Sequence, residues 1–133
     1  MVWFRLLNVF FFVFHGLLVL FVLFGWIAAR TRKWHLVVMV LITLSWFGLG
    51  VLYGWGYCCL TDWHWQVRRK LGIYDSARSY VQLMFQTLTG LELPAATVDI
   101  ITACGYLFAL AAAVVASVRA RRGHGASVTR LCT

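Results

Sequence analysis

Acidic charge is what this chain has least of. Its 133 residues include four Asp and Glu, and only 12% are charged against 62% hydrophobic. A soluble domain carries about a quarter charged residues and under half apolar ones. The mean hydropathy of +0.83 leaves too little polar surface for a water-soluble domain, so the chain reads as a single integral-membrane domain. Chemistry-bearing patterns are scarce as well. There is no C-x-x-C and no paired zinc spacing among Cys58, Cys59, Cys104 and Cys132. No serine nucleophile, carboxylate pair or glycine-rich phosphate loop is present, so the sequence supplies no catalytic residue and no cofactor. A short signal-peptide core is lacking too: the first apolar run, 6–29, is far longer than an h-region of roughly 7–15 residues.

What is present is positive charge beside long apolar runs. Twelve Lys and Arg give a net charge of +8. They cluster as Arg30, Arg32, Lys33, then Arg68, Arg69, Lys70, then Arg119, Arg121, Arg122. Cations at the ends of apolar runs suit anionic headgroups and set topology, which argues for membrane lipids as partners and against nucleic acid.

Three runs predict spans at 6–29, 34–57 and 94–118, followed by a basic, mobile tail at 119–133. The first two form a tight hairpin about Arg30–Lys33. Trp34 and Trp55 stand near the ends of the second as an aromatic belt. Gly48, Gly50 and Gly54 give that span a small-residue face, with one G-x-x-x-G, on which another helix can pack.

Two shorter segments read as interfacial. In 61–71, Thr61 is expected as N-cap and Asp62 suits the first turn. Trp63, Val67 and Leu71 form an apolar face toward lipid or the bundle, His64, Arg68 and Arg69 lie off it, and Gly72 ends the helix. Segment 79–90 carries a Gln82, Gln86, Thr89 stripe and reads as amphipathic or re-entrant; Pro94 opens the last helix. The expected fold is therefore all-α, with three transmembrane helices and one or two interfacial helices.

A four-helix transmembrane bundle is the alternative. Three spans with the N-terminus outside put seven cations inside (Arg30, Arg32, Lys33, Arg119, Arg121, Arg122, Arg130) and five outside (Arg5, Arg68, Arg69, Lys70, Arg78). Four spans improve that bias, but 79–93 is only roughly 22 Å of helix, too short for a core of about 30 Å.

Several residues match a known pattern: Arg5-Leu6-Leu7, His15, Phe21-Val22-Leu23-Phe24-Gly25, a basic turn, Trp34-His35, then Gly54 with Cys58-x-Leu60-Thr61 and Leu71-Gly72 downstream. This resembles a bacterial family of small integral-membrane proteins known as a domain of unknown function (DUF2784). The resemblance covers nearly the whole chain and is most specific over Cys58–Gly72. It implies a helical membrane fold in the bacterial inner membrane and supplies no activity or cofactor. Where that family usually reads Cys-Pro-Leu-Thr-Pro-Leu-Glu, Cys59 and Asp62 stand at the proline positions and His64 at the glutamate.

The candidate binding cluster is Asp62, His64, Arg68, Arg69 and Trp63, suited to a phosphate headgroup or small ligand; Cys58 or Cys59 with His64 makes a weak metal set. His15, near mid-membrane, is expected to hydrogen-bond Ser45 or the Trp46 indole at similar depth. His35 reads as a headgroup-level residue. His15 and His35 lie at different depths, which excludes haem ligation by that pair; His15 could ligate haem with a partner chain. Two functions follow: an accessory or structural subunit that meets other membrane subunits or itself through 48–56, or a lipid-, haem- or metal-binding module.

Overall fold

The computed structural model describes residues 1–54, 56–74 and 76–131, with side chains through Arg122. Trp55, expected in the aromatic belt, and the side chains of the expected mobile tail from Gly123 on, Cys132 included, lie outside the described residues.

Five helices form among the described residues, and the fold is 79% helix. Three are long and apolar enough to cross a membrane: α1 (Val2–Phe24), α2 (Arg32–Tyr53) and the Ala95–Arg122 part of α5 (Ala95–Leu131). Two short helices stand between the second and third spans: α3 (Cys59–Lys70) and α4 (Tyr80–Thr89). The fourth-span alternative falls with α4, whose 10 residues reach roughly 15 Å.

The spans differ from expectation at their ends. α1 stops at Phe24, and Gly25–Thr31 make the hairpin turn. Thr31 Oγ1 donates to the Gly25 carbonyl at 2.7 Å, and Arg32 Nε donates to the Trp26 carbonyl at 3.3 Å. These bonds satisfy carbonyls that the end of α1 leaves open. α5 continues beyond Val118, because Arg119, Ala120, Arg121 and Arg122 are good helix formers that carry charge without breaking the helix. α2 ends at Tyr53, where Gly54 takes φ 106°, and it is π-helical over Leu44–Leu49.

α5 runs antiparallel to α2. Arg32 near the start of α2 donates to the Ala116 carbonyl at 3.4 Å, while Met39, one helical turn before the π segment, packs with Tyr106 and Ala109. The Tyr106 hydroxyl donates to the Met39 carbonyl at 3.0 Å and also meets Thr43 Oγ1. Close approach needs small residues: Ala109 and Ala113 are fully buried, and a Cβ on Gly105 would already touch Leu23.

α3 begins at Cys59, two residues before the expected start. Cys58 is the N-cap, with extended backbone (φ −125°, ψ 117°), so Thr61 lies inside the first turn. The Cys58 carbonyl accepts from the Asp62 N–H at 3.0 Å. Gly72 closes the helix as expected, at φ 74°: its N–H reaches the Arg69 carbonyl and the Ile73 N–H reaches the Arg68 carbonyl, each at 3.0 Å. α4 is capped by Ser79 Oγ, which accepts from the Gln82 N–H at 3.3 Å, and ends at Gly90, φ 71°. Ser79→Ala is expected to cost about 1 kcal/mol, read as a lower unfolding midpoint in micelles.

Gln82 does not form an exposed polar stripe. It is buried, its amide nitrogen donates to the Leu93 carbonyl at 3.0 Å, and its side-chain oxygen accepts from the Arg78 N–H at 2.9 Å. It therefore ties α4 to the start of α5. Together α3 and α4 close the end of the bundle opposite the Gly25–Thr31 turn.

Candidate functional site

The inward face of α1 holds the site. Asn8, Phe11, Phe12, His15, Gly16, Val19, Val22 and Leu23 recur at three- and four-residue steps and are the less exposed positions of that helix. The α3 helix packs on the first half of this stripe and α4 on its middle.

Against α3 the contact is polar. His64 is fully buried and its Nε2 donates to Asn8 Oδ1 at 2.9 Å; Arg68 Nη1 donates to the same oxygen at 3.2 Å. The His64 ring stacks on Phe11 with centroids 5.8 Å apart. Of the two orientations expected for the Trp63 face, lipid or bundle, the structure has the outward one: His64 turns into the bundle, while Trp63 is 54% exposed. The reason is Asn8, whose carbonyl oxygen needs donors inside the membrane and finds them one helical turn apart on α3.

Asp62 does not join His64. Two positions apart on a helix, their side chains diverge. Asp62 accepts from Gln66 Nε2 at 2.8 Å and lies by Tyr57, where burial and then the Asp62 charge push the phenol up from its ordinary pKa. Arg69 is exposed. The expected cluster of Asp62, His64, Arg68, Arg69 and Trp63 is thus split between the bundle and the outer surface.

His15 is also placed differently from expectation. It meets neither Ser45 nor Trp46 by a hydrogen bond. Ser45 Oγ instead donates to the Tyr57 carbonyl at 3.0 Å, pinning the loop after α2. The His15 ring lies on Tyr80, centroids 4.1 Å apart and planes 8° from parallel. Its Nε2 is 4.0 Å from Cys58 Sγ, and Nδ1 is buried with no hydrogen-bond partner among the described residues. The Tyr80 hydroxyl donates to the Phe12 carbonyl and sits over Gly16, where a Cβ would come to 3.2 Å. Burial pushes the Tyr80 phenol up, with a backbone bond at Gly16 opposing, so it remains a neutral donor. The His64 ring is also near Tyr80, ring centroids 6.3 Å apart.

His35, expected at headgroup level, is fully buried: its Nε2 donates to the Val22 carbonyl at 2.8 Å where α1 nears its end. It fills the space left by Gly25, far from His15.

Beside His15 and Cys58 opens a cavity of about 340 Å³. Its walls are apolar residues of α1, α2 and α5, among them Val19, Val22, Ile42, Trp46 and Ile101, with Met84 of α4. His15, Cys58, Thr61, Ser79 and Tyr80 line it as well, Thr102 and Tyr106 add polar groups from α5, and among the described residues no Asp, Glu, Lys or Arg lines it. Ligand pockets of roughly 300–1,000 Å³ that are mostly apolar with a few convergent polar groups are the usual form of a small-molecule site. No three His, Cys, Asp or Glu side chains converge as metal ligands among the described residues. Cys58 faces His15 and not His64.

The glycine face was expected at Gly48, Gly50 and Gly54. Within the chain only Gly50 is buried; a Cβ on Gly48 or Gly54 would meet nothing within 4 Å. Close neighbours instead meet a Cβ built on Gly16, Gly25 or Gly105. Sequence reasoning also passed over Asn8 and Tyr80. Asn8 had a signal: it stands seven residues before His15, on the same helical face, and a polar side chain in a span turns inward. Tyr80 had none, because its role depends on α4 folding back against α1.

No curated protein and no solved structure matches this chain. Residues 5–119 match the family described as Protein of Unknown function (DUF2784). That stretch runs from Arg5 through all three spans, and includes the Asn8–His64–Arg68 contact, the His15–Cys58 pair and every wall of the cavity; the chain belongs to the DUF2784 family.

Proposed function

We propose that this protein is a membrane-embedded binding module for an amphiphilic molecule whose apolar part lies in the cavity between the spans. The observation that carries this is the cavity: about 340 Å³, walled mostly by apolar side chains, with no charged side chain among the described lining residues and a few polar groups, His15, Cys58, Thr61, Ser79 and Tyr80 among them. That lining favours an uncharged body. Any charged headgroup stays outside, near Arg69 and Lys70, which are exposed at the end of α3. Binding centred on the Asp62, His64, Arg68 set has less support, since Asn8 engages two of the three.

The test is to purify the protein in mild detergent, extract it and compare the extracted molecules with bulk lipid of the same membrane. One molecule enriched at near-stoichiometric yield is expected. Val19→Phe, which adds volume to the cavity wall, is expected to remove it while leaving helicity and elution volume unchanged. An extract matching bulk lipid for the unaltered protein would refute the reading.

A second reading, an accessory subunit of a larger complex in the bacterial inner membrane, is favoured by one feature of α2. Gly48 and Gly54 face open space, beside Val51, 81% exposed. A small-residue gap in a span lets a helix of another chain approach closely. Arg30, Arg32, Lys33, Arg119, Arg121 and Arg122 share one end of the bundle, which supports placing that end in the cytoplasm. Cross-linking in intact membranes from a cysteine at Gly48 would capture a partner or a second copy; capture of neither would remove this reading.

A further inference from the structure

We propose that the end of the bundle built from the Gly25–Thr31 turn, the start of α2 and Arg119–Arg122 of α5 binds a phospholipid whose single headgroup carries two phosphate diesters, as diphosphatidylglycerol does. This surface is separate from the cavity and does not rest on the binding reading.

The first observation is charge without a counter-charge. Arg30, Arg32 and Lys33 come from the turn and the start of α2, and Arg119, Arg121 and Arg122 from α5. No Asp or Glu occurs in the chain before Asp62 or after Asp99. Roughly 30 Å of helix separates Asp99 from Arg119, the thickness of a hydrocarbon core. Asp62 and Glu92 belong to the opposite end, and Asp75 stands in sequence between α3 and α4, which close that end. The six cations therefore draw their anions from outside the chain.

The second is that these cations are held together. Arg32 Nε donates to the Trp26 carbonyl at 3.3 Å and its Nη1 to the Ala116 carbonyl at 3.4 Å, so one guanidinium ties the turn to α5. Arg119 stands beyond Ala116, about 4.5 Å further out and about 60° round the helix. Arg30 and Lys33 flank Arg32 from the turn side, and all three of these neighbours are exposed.

The third is what such a surface fits. Guanidinium and ammonium groups at headgroup level hold phosphate, and guanidinium does so with paired hydrogen bonds. Here the cations come from two elements on either side of Arg32. Two phosphates on one short linker engage both sets with one molecule, and the second contact is then intramolecular. On the membrane side of the cations both helices expose apolar side chains: Trp34, Val37 and Leu41 on α2, Val115 and Val118 on α5. Acyl chains cover that surface, which a free phosphate leaves bare.

The test mixes the full chain, purified in mild detergent, with diphosphatidylglycerol and phosphatidylglycerol at equal phosphate and counts bound lipids by native mass spectrometry. Preference for diphosphatidylglycerol by about tenfold or more is expected. Lys33→Gln combined with Arg119→Gln should weaken its binding by about fivefold for each cation removed. Arg5→Gln combined with Arg78→Gln takes the same charge from the opposite end and should leave binding unchanged. Inorganic pyrophosphate at the concentration of the lipid should not displace it. Circular dichroism and elution volume show whether the variants fold; the comparison of the two lipids on the unaltered protein needs no variant. Equal retention of the two lipids, an equal loss in the two double variants, or displacement by pyrophosphate overturns the proposal.

Discussion

Replacing Gly25 by alanine is expected to destabilise the protein by about 2–3 kcal/mol, the upper part of the range for forcing a methyl into a packed site. Gly25 has an ordinary φ of −64°, so the cost is one of space and not of backbone angle. A Cβ there would come within 2.5 Å of the Phe21 carbonyl oxygen, 2.9 Å of His35 Cδ2 and 3.0 Å of Phe21 Cδ2. None of these yields readily. The Phe21 carbonyl accepts the Gly25 N–H at 2.7 Å, and the His35 ring is buried and bonded to the Val22 carbonyl. The Gly25 carbonyl also holds Thr31, so a shift at Gly25 opens the turn that sets α1 against α2. Gly48→Ala is the matched control: its Cβ meets nothing within 4 Å, its φ is not positive, and the change is expected to be near neutral. Unfolding in detergent micelles by heat or added SDS measures both. Equal midpoints for the two variants would mean that α1 and α2 do not close on Gly25 as described.

Asn8→Ala is expected to cost about 2 kcal/mol. Single interhelical hydrogen bonds in membranes average roughly 0.6 kcal/mol and reach about 1.7. Asn8 Oδ1 accepts two, one of them from a guanidinium, and bonds to charged donors are the stronger kind. Its loss removes the acceptor that His64 Nε2 meets in the bundle, where the ring is fully buried. Asn8→Asp keeps the acceptor and adds a charge opposite that of Arg68, so it should retain stability close to the unaltered protein. The same micelle unfolding reads both, and trypsin cleavage after Arg68 and Arg69 should quicken in the alanine variant as α3 loosens from α1. An alanine variant indistinguishable from the unaltered protein in both assays would dissolve the cluster.

These two residues illustrate what could be seen in the chain beforehand. His64 was conspicuous in sequence because it stands among tryptophans and cations. The chain alone placed it at the membrane surface with Asp62, since a short amphipathic helix such as that expected over 61–71 ordinarily lies there. Its actual partner, Asn8, is 56 residues away. No local pattern brings them together; that required α3 to dock on the first span. His15 tells the same story. Its depth on α1 followed from counting residues, but depth selects a layer and not a neighbour. Ser45 shared that layer, whereas Tyr80 and Cys58 reached it only because α3 and α4 fold in under the bundle. Gly25 stood in the run that resembles the family, but nothing local marked it among eleven glycines as the one on which two helices close.

By itself the sequence determined that the protein is helical, that three runs are long and apolar enough to span, that positive charge gathers at their ends and that Gly72 stops α3. Each is a consequence of composition, period or length, which act within one stretch of chain. Tertiary structure decided which face of α3 turns inward, which histidines are buried and where a cavity is left. These depend on helix–helix approach, and in a membrane that approach is set by a few small residues and a few buried hydrogen bonds instead of by a broad apolar surface. Such contacts occupy single positions far apart in sequence, so they become visible only when the helices are assembled.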